Sequence, residues 1–244
     1  MNLIEACKTG NLEEVKRLIE NGADIHAKND YILRHAADRG KVGMVKYLLE
    51  AGADVHADND DALITAAAKG YLEIVKLLVE YGADIHAKND QALRLAAYFN
   101  RLEVVKYLVS KGADIRAEDN EALRYAIYRG HLVIVKFLIE QGADIYAVQE
   151  EGLRFAISER HLDLIRYLVK QGADVYKINY ELVFKRTPFR DILDALWGNS
   201  SKEALMPLLV SSNSKLRKEV KTYMKKKELW KGEEECRLLQ KSSI

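Results

Sequence analysis

Histidines and arginines recur at fixed spacings in this chain of 244 residues, and both types can bind ligands. The two rows are His26, His56 and His86, and then Arg34, Arg94, Arg124 and Arg154. Zinc takes histidine nitrogen at about 2.0–2.1 Å, whereas packed helices lie roughly 8–10 Å apart, so successive repeats cannot share one metal ion. We expect the histidines to stack loops. We expect the arginines to be neutralised by Asp and Glu of neighbouring loops, with an anion-binding row as the alternative.

No pattern in the sequence indicates catalysis. Glycine-rich phosphate loops, His-Glu-x-x-His, Gly-x-Ser-x-Gly and Cys-x-x-Cys are absent. The two cysteines, Cys7 and Cys236, are far apart and have no ligand-spaced partners, which excludes a disulfide framework and a zinc ribbon. We therefore predict a protein that is not an enzyme and has no catalytic, metal or cofactor site.

The composition predicts a folded chain without membrane spans. It is 48% apolar and 31% charged, with a net charge of +1, which does not fit a disordered chain. No apolar run approaches the roughly 20 residues of a spanning helix, and the first residues lack the features of a signal peptide. We expect an intracellular protein.

A thirty-residue repeat organises most of the chain. Gly-Ala-Asp begins at Gly22, Gly52, Gly82, Gly112, Gly142 and Gly172. In the same register, leucine and alanine recur three residues apart, from Leu3 and Ala6 to Leu153 and Ala156. This spacing predicts an apolar stripe on a helix, and a fixed period of this size is typical of a solenoid.

Each unit is predicted to be helix, turn, helix, loop. The turn falls at Gly10, Gly40, Gly70, Asn100, Gly130 and Arg160, where a left-handed residue can end a helix; Arg160 should be strained there. The repeat glycine should end the second helix. Asp30, Asp60, Asp90 and Asn120 precede the first helices and are predicted to be their N-caps.

These units resemble ankyrin repeats. The resemblance rests on Gly-Ala-Asp-Ile, the Ala-Ala pairs, Gly130-His131-Leu132 and the run Val104–Val109, and it covers about residues 1–179. Ankyrin units are typically 33 residues long, and here the three missing residues fall in the loop, where the family has its projecting hairpin finger. The resemblance implies an all-α solenoid of helix-turn-helix units with shortened fingers, similar to arrays of giant DNA viruses.

The domain organisation follows from where the repeat ends. Residues 1–199 are predicted to form six units in register and a degenerate seventh unit as a cap. Residues 200–244 carry eleven Lys and Arg against six Glu, which leaves a net charge of −4 for residues 1–199. We expect residues 200–212 to complete the fold and a basic amphipathic helix to project from Lys215 to about Lys231. Its basic residues are Lys215, Arg217, Lys218, Lys221, Lys225, Lys226 and Lys227.

The resemblance also implies where a partner binds. In ankyrin proteins the two positions before the inter-helix turn line the concave surface, and they vary here from repeat to repeat. The candidate binding residues are His35, Arg39, Lys69, Tyr98, Phe99, Tyr125, Tyr128 and Arg129. Aromatic and arginine side chains are typical anchors of protein interfaces, although Tyr98 and Phe99 could instead only cover the turn at Asn100.

The predicted function is therefore a non-enzymatic module, monomeric, that binds a protein partner through the concave face. The alternatives are an adaptor that recruits the bound protein through the C-terminal segment, and a nucleic-acid or membrane-surface binder that uses the basic tail. The net charge of the array makes nucleic acid the weaker choice. The viral resemblance suggests a host protein as partner, in the host cytoplasm or nucleus.

Overall fold

A computed structural model of the chain describes residues 2–145, 149–173, 192, 194–195 and 214–226. Helices come in consecutive pairs, and no strand occurs in these ranges. The pairs are α1 (Leu3–Thr9) with α2 (Leu12–Glu20), α3 (Ala27–Asp38) with α4 (Val42–Glu50), α5 (Ala57–Lys69) with α6 (Leu72–Glu80), α7 (Ala87–Tyr98) with α8 (Leu102–Ser110), α9 (Ala117–Tyr128) with α10 (Leu132–Glu140), and α11 (Gln149–Ser158) with α12 (Leu162–Lys170). A last helix, α13, spans Ser214–Lys226.

The apolar stripe of the first helices forms the core. Each leucine and each alanine of the repeated pair is buried, from Leu3 and Ala6 to Leu153 and Ala156. The neighbouring small residues, such as Ala37 and Ala67, are fully buried as well. Small side chains allow close approach, and consecutive first helices are in direct contact, α1 with α3, α3 with α5 and α5 with α7. The predicted stripe is confirmed.

Left-handed residues end the helices, as the sequence predicts. The residues of the inter-helix turns have positive φ in all six repeats, including Asn100 (φ 60°) and Arg160 (φ 62°). At the other end of each unit the repeat glycine closes a Schellman motif: the Gly22 N–H donates to the Ile19 carbonyl, and the Ala23 N–H donates to the Leu18 carbonyl. Arg160 adopts the conformation that glycine adopts elsewhere, at the cost of a left-handed β-carbon.

The loops contain a single left-handed turn instead of a hairpin. Three consecutive residues have φ between 50° and 61°, and these are Lys28–Asp30, Asp58–Asp60, Lys88–Asp90 and Glu118–Asn120. The right-handed part of α3, α5, α7 and α9 starts only after them. The prediction of N-caps at Asp30, Asp60, Asp90 and Asn120 is wrong, because an N-cap residue has extended backbone. The predicted absence of long hairpin fingers is confirmed for the loops described.

The chain divides into two compact units. Unit 1 comprises residues 1–126 and 133–143, and unit 2 comprises residues 127–132 and 144–244. The boundary predicted near residue 200 lies outside the described residues. The all-α solenoid predicted from the repeat is the observed architecture.

Candidate interaction surface

Buried carboxylates connect successive loops in unit 1. Asp30, Asp60 and Asp90 are 3–4% exposed. The Asp60 Oδ1 atom accepts a hydrogen bond of 2.8 Å from the Asp84 N–H of the next repeat. Asp30 and Asp90 accept the equivalent bonds from Asp54 (2.9 Å) and Asp114 (2.8 Å). The aspartate expected to cap a helix therefore joins two repeats.

The histidine row binds these same carboxylates. His26, His56 and His86 place Nδ1 3.1–3.2 Å from Oδ1 of Asp30, Asp60 and Asp90. In addition, the backbone N–H of each histidine donates to the aspartate two residues before it, as from His56 to Asp54 at 2.9 Å. Each histidine thus contacts carboxylates of its own loop, and the contact with the next loop is made by the aspartate; direct stacking of loops by the histidines stays a prediction. Within the described ranges, no group of three or more His, Cys, Asp or Glu side chains could hold a metal ion.

The arginine row supports the left-handed turns. Arg34 donates to the carbonyls of Lys28 and Asn29 and pairs with Asp58 of the next repeat at 3.1 Å. Arg94 repeats this arrangement with Lys88, Asn89 and Glu121. Arg34 and Arg94 therefore hold the loop backbone and are neutralised by acidic side chains of the next repeat, as the neutralisation hypothesis predicts. Arg124 lies near Glu121 (3.8 Å), and Arg154 lies over the Phe155 ring.

Three of the predicted binding residues form an aromatic cluster in unit 1. Tyr98 makes edge-to-face contacts with Phe99 (ring centroids 4.9 Å apart) and with Tyr125 (5.2 Å). Phe99 remains 44% exposed. Partial burial, and then the negative charge of Glu121 and a hydrogen bond to it, raise the pKa of the Tyr125 hydroxyl. We call Tyr98, Phe99 and Tyr125 the aromatic cluster.

The remaining candidates of unit 1 lie on the preceding repeats. The Asp38 carboxylate is 3.5 Å from Arg39 Nε and 3.4 Å from Lys69 Nζ. His35 stacks on the Tyr31 ring with centroids 5.5 Å apart. Partial burial, reinforced by Arg39, lowers the pKa of the His35 imidazole.

Unit 2 contains the other two candidates. Tyr128 is 40% exposed and makes an edge-to-face contact with Phe155 at 5.3 Å. Arg129 is exposed. His161 Nε2 lies 3.3 Å from the Tyr128 carbonyl, which fixes the turn between α9 and α10.

The residue that follows each turn is not among the contacts predicted from the sequence. Lys41, Tyr71 and Arg101 lie over the turn glycine of the preceding repeat, so that a β-carbon on Gly10, Gly40 or Gly70 would lie 3.4, 2.9 or 2.6 Å from them. The Arg101 Nε–H also donates to the Ala68 carbonyl at 3.1 Å. The available signal is a large side chain directly after each turn, 31 residues after the turn glycine of the preceding repeat.

The C-terminal basic segment is helical from Ser214 to Lys226. Val220, Tyr223 and Met224 are buried, and the Tyr223 hydroxyl donates to Asp194 Oδ1 at 2.6 Å. Lys218 and Lys225 are exposed, while Arg217 and Lys221 are half-buried. The side chains of Lys215 and Lys226, and all of Lys227, lie outside the described residues. The apolar side of α13 is thus packed within unit 2.

The comparisons agree with the geometry. A family model described as ankyrin repeats (3 copies) matches residues 3–89, 34–119 and 93–179. No curated protein shows a significant match to the sequence. None of the helices in the described ranges combines the length and apolar character needed to span a membrane. Since the matched segments cover most of the chain and the helix pairs follow the same register, the chain belongs to the ankyrin-repeat family.

Proposed function

We propose that this protein is a non-enzymatic interaction module that binds a partner protein through the aromatic cluster and the exposed side chains near it. Ankyrin repeats are generally protein-interaction modules and typically lack enzymatic activity. The observation that supports this surface is Phe99, which is 44% exposed at the end of a first helix whose core positions are filled by Leu93, Ala96 and Ala97. A large part of the Phe99 ring thus lies outside the core of its repeat.

The cluster has the properties of a binding anchor. Tyr98 makes edge-to-face contacts with both Phe99 and Tyr125. These contacts restrict the side chains, so little side-chain entropy remains to be lost on binding. Covering the Phe99 ring would remove apolar surface from water. Rigid aromatic side chains of this kind dominate the free energy of many interfaces.

An alanine comparison tests the proposal. We expect Phe99→Ala to weaken binding of the partner by about 2 kcal/mol, while Tyr81→Ala leaves it unchanged. Tyr81 is the matched control because it is 43% exposed but lies at the loop end of α6. Partners captured from cell extract by the wild-type chain would be identified and their affinities for the variants measured by calorimetry. Equal effects of the two substitutions would refute the proposed surface.

The triple replacement of Tyr98, Phe99 and Tyr128 by alanine extends this test. Its control is the replacement of Lys46, Lys76 and Lys106, which lie on the second helices. We expect a loss of at least about 2 kcal/mol of binding for the aromatic set and little for the lysines. Equal losses would indicate charge-driven, non-specific association.

An adaptor role is the second proposed function, and it is supported by α13. One side of this helix is buried, whereas Lys218 and Lys225 are exposed on the other. A second partner, a polyanion or import machinery would contact these cations. The double variant Lys218→Gln and Lys225→Gln should abolish such recruitment or nuclear accumulation and leave aromatic-cluster binding intact. The viral resemblance makes a host protein the proposed partner.

A further inference from the structure

The inter-helix turns of unit 1 concentrate positive charge along one edge of the stack. We call the segments 8–11, 38–41, 68–71 and 98–101 the turn edge. It carries five exposed cations and one acidic residue, Asp38. The cations are Lys8, Arg39, Lys41, Lys69 and Arg101.

The positive charge is local to this edge. Unit 1 as a whole has 18 Lys and Arg against 22 Asp and Glu. The four loops at 22–31, 52–61, 82–91 and 112–121 contain twelve acidic residues and only three basic ones. The four turn segments therefore carry a net positive charge and the four loops a net negative charge, a difference that the net charge of the whole sequence does not reveal.

The stack holds the turn edge in order. Lys41, Tyr71 and Arg101 each lie on the preceding turn, and Arg101 is fixed by its bond to the Ala68 carbonyl. Lys8 lies over the Tyr31 ring, 5.9 Å from its centroid. Ordered side chains lose less entropy when a ligand binds.

Asp38 provides an internal example of what this edge binds. Its carboxylate lies between Arg39 of its own repeat and Lys69 of the next, at 3.5 and 3.4 Å. One carboxylate can thus bridge cations of adjacent repeats. Acidic residues also occur near the turn edge, in the first turns of the second helices. Glu13 and Glu103 form ion pairs with Lys16 and Lys106, and Glu73 occupies the same turn of α6.

We propose that the turn edge of unit 1 binds an acidic peptide segment of the partner, with an apolar residue of that segment placed on the aromatic cluster. This inference rests on the proposed function and names the chemical class of the partner. Single-stranded nucleic acid fits less well, because its bases need exposed ring faces for stacking. The cluster rings are instead engaged edge to face, with interplanar angles of 83° and 75°. The acidic loops would also repel a long polyanion.

The test is a binding assay on the full chain with a defined probe. The probe is a fluorescent peptide of Glu and Asp with one central Phe, and the comparison peptide has Gln and Asn in place of the acids. We expect the acidic peptide to bind more tightly and its affinity to fall with salt, since exposed charges are screened. Equal affinity for both peptides, or no binding of either, would overturn the proposal.

Two matched variants locate the site. The turn-edge variant is Arg39→Gln, Lys41→Gln and Lys69→Gln; the control variant is Lys46→Gln, Lys76→Gln and Lys106→Gln, with the same loss of charge. We expect about tenfold weaker peptide binding for the turn-edge variant, given the usual strength of surface ion pairs, and less than about twofold for the control. Equal weakening of both would show a diffuse charge effect and refute the site.

Two further arms separate the competing occupants. If a single-stranded DNA oligonucleotide of equal length binds more tightly than the acidic peptide, and this binding is lost in the turn-edge variant, the ligand of the turn edge is nucleic acid and not a peptide. If the wild-type chain self-associates in sedimentation and the turn-edge variant does not, the turn edge binds the acidic loops of a second copy instead of a partner peptide. If Phe99→Ala abolishes partner binding while the turn-edge variant does not, the proposed function stands and the acidic-partner inference fails. If Phe99→Ala has no effect, the proposed function fails.

Discussion

Replacing Asp60 by alanine should destabilise the repeat stack more than the replacement of an ordinary exposed loop residue would. Asp60 is 4% exposed, and its carboxylate accepts bonds from the Asp84 N–H at 2.8 Å and from His56 Nδ1 at 3.2 Å. The substitution removes both acceptor contacts and leaves the Asp84 N–H, which is partly buried, without its partner. We expect the free energy of unfolding to fall by about 2–3 kcal/mol, since hydrogen bonds to charged groups contribute about 1.5–3 kcal/mol.

Asp58→Ala is the control that separates the loss of the Asp60–Asp84 hydrogen bond from the effect of replacing an aspartate in a left-handed backbone conformation. Asp58 and Asp60 have nearly the same left-handed conformation, with φ of 58° and 59°. The Asp58 side chain is 52% exposed and pairs with Arg34, a surface ion pair that contributes about 0–1 kcal/mol. Both variants lose the same residue type at nearly the same φ, so the difference between them, about 1–3 kcal/mol, measures the link between repeats.

Urea denaturation followed by circular dichroism measures both variants. A difference of about 1–3 kcal/mol corresponds to roughly 2–12 °C in Tm for a chain of this size. Repeat arrays can unfold in parts, so hydrogen exchange at the Asp84 amide provides a local readout. Asp60→Asn should recover most of the loss, because an amide oxygen can still accept the bond and Asn occupies this position in the fifth repeat, at Asn120. Destabilisation of Asp58→Ala and Asp60→Ala by the same amount, within about 0.5 kcal/mol, would refute the reasoning.

Three further predictions concern the turns, the buried thiol and the C-terminal helix. Gly40→Ala should cost about 1 kcal/mol more than Gly52→Ala, because both have positive φ but only the added β-carbon at 40 would lie 2.9 Å from the Tyr71 ring. Equal loss of stability in thermal unfolding would contradict this. Burial raises the pKa of the Cys7 thiol to about 11, so this thiol should stay protonated at pH 8. In a Cys236→Ser background it should react with a thiol reagent only as fast as the fold opens. Rapid reaction at pH 8 without unfolding would be inconsistent with a buried, protonated thiol. Ending the chain after Ser212 removes the buried Val220, Tyr223 and Met224. Hydrogen exchange should therefore increase in unit 2 and not in unit 1, although the sequence predicts that residues 200–212 complete the fold and that this helix projects. Unchanged exchange in unit 2 would support the projecting helix instead.

The repeat architecture could be predicted because its determinants are local and periodic. The thirty-residue spacing of Gly-Ala-Asp, the Leu-Ala stripe and the glycine turns each specify a helix, a buried face or a helix end without reference to distant residues. Within that frame Tyr98 and Phe99 are candidates because they occupy the variable positions before a turn, and Tyr125 is a candidate because it is expected close by. The structure brings them into contact. Their role in binding stays a prediction.

The sequence by itself determined the period, the core positions and the left-handed residues of the inter-helix turns, because short-range sterics and burial fix them. Only the tertiary structure decided what Asp30, Asp60 and Asp90 do. An aspartate before an apolar run fits an N-cap and a left-handed turn equally well, and the N–H that selects between them comes from the next repeat, 24 residues further along the chain. The separation of basic turns from acidic loops likewise arises only when stacking places residues thirty positions apart side by side.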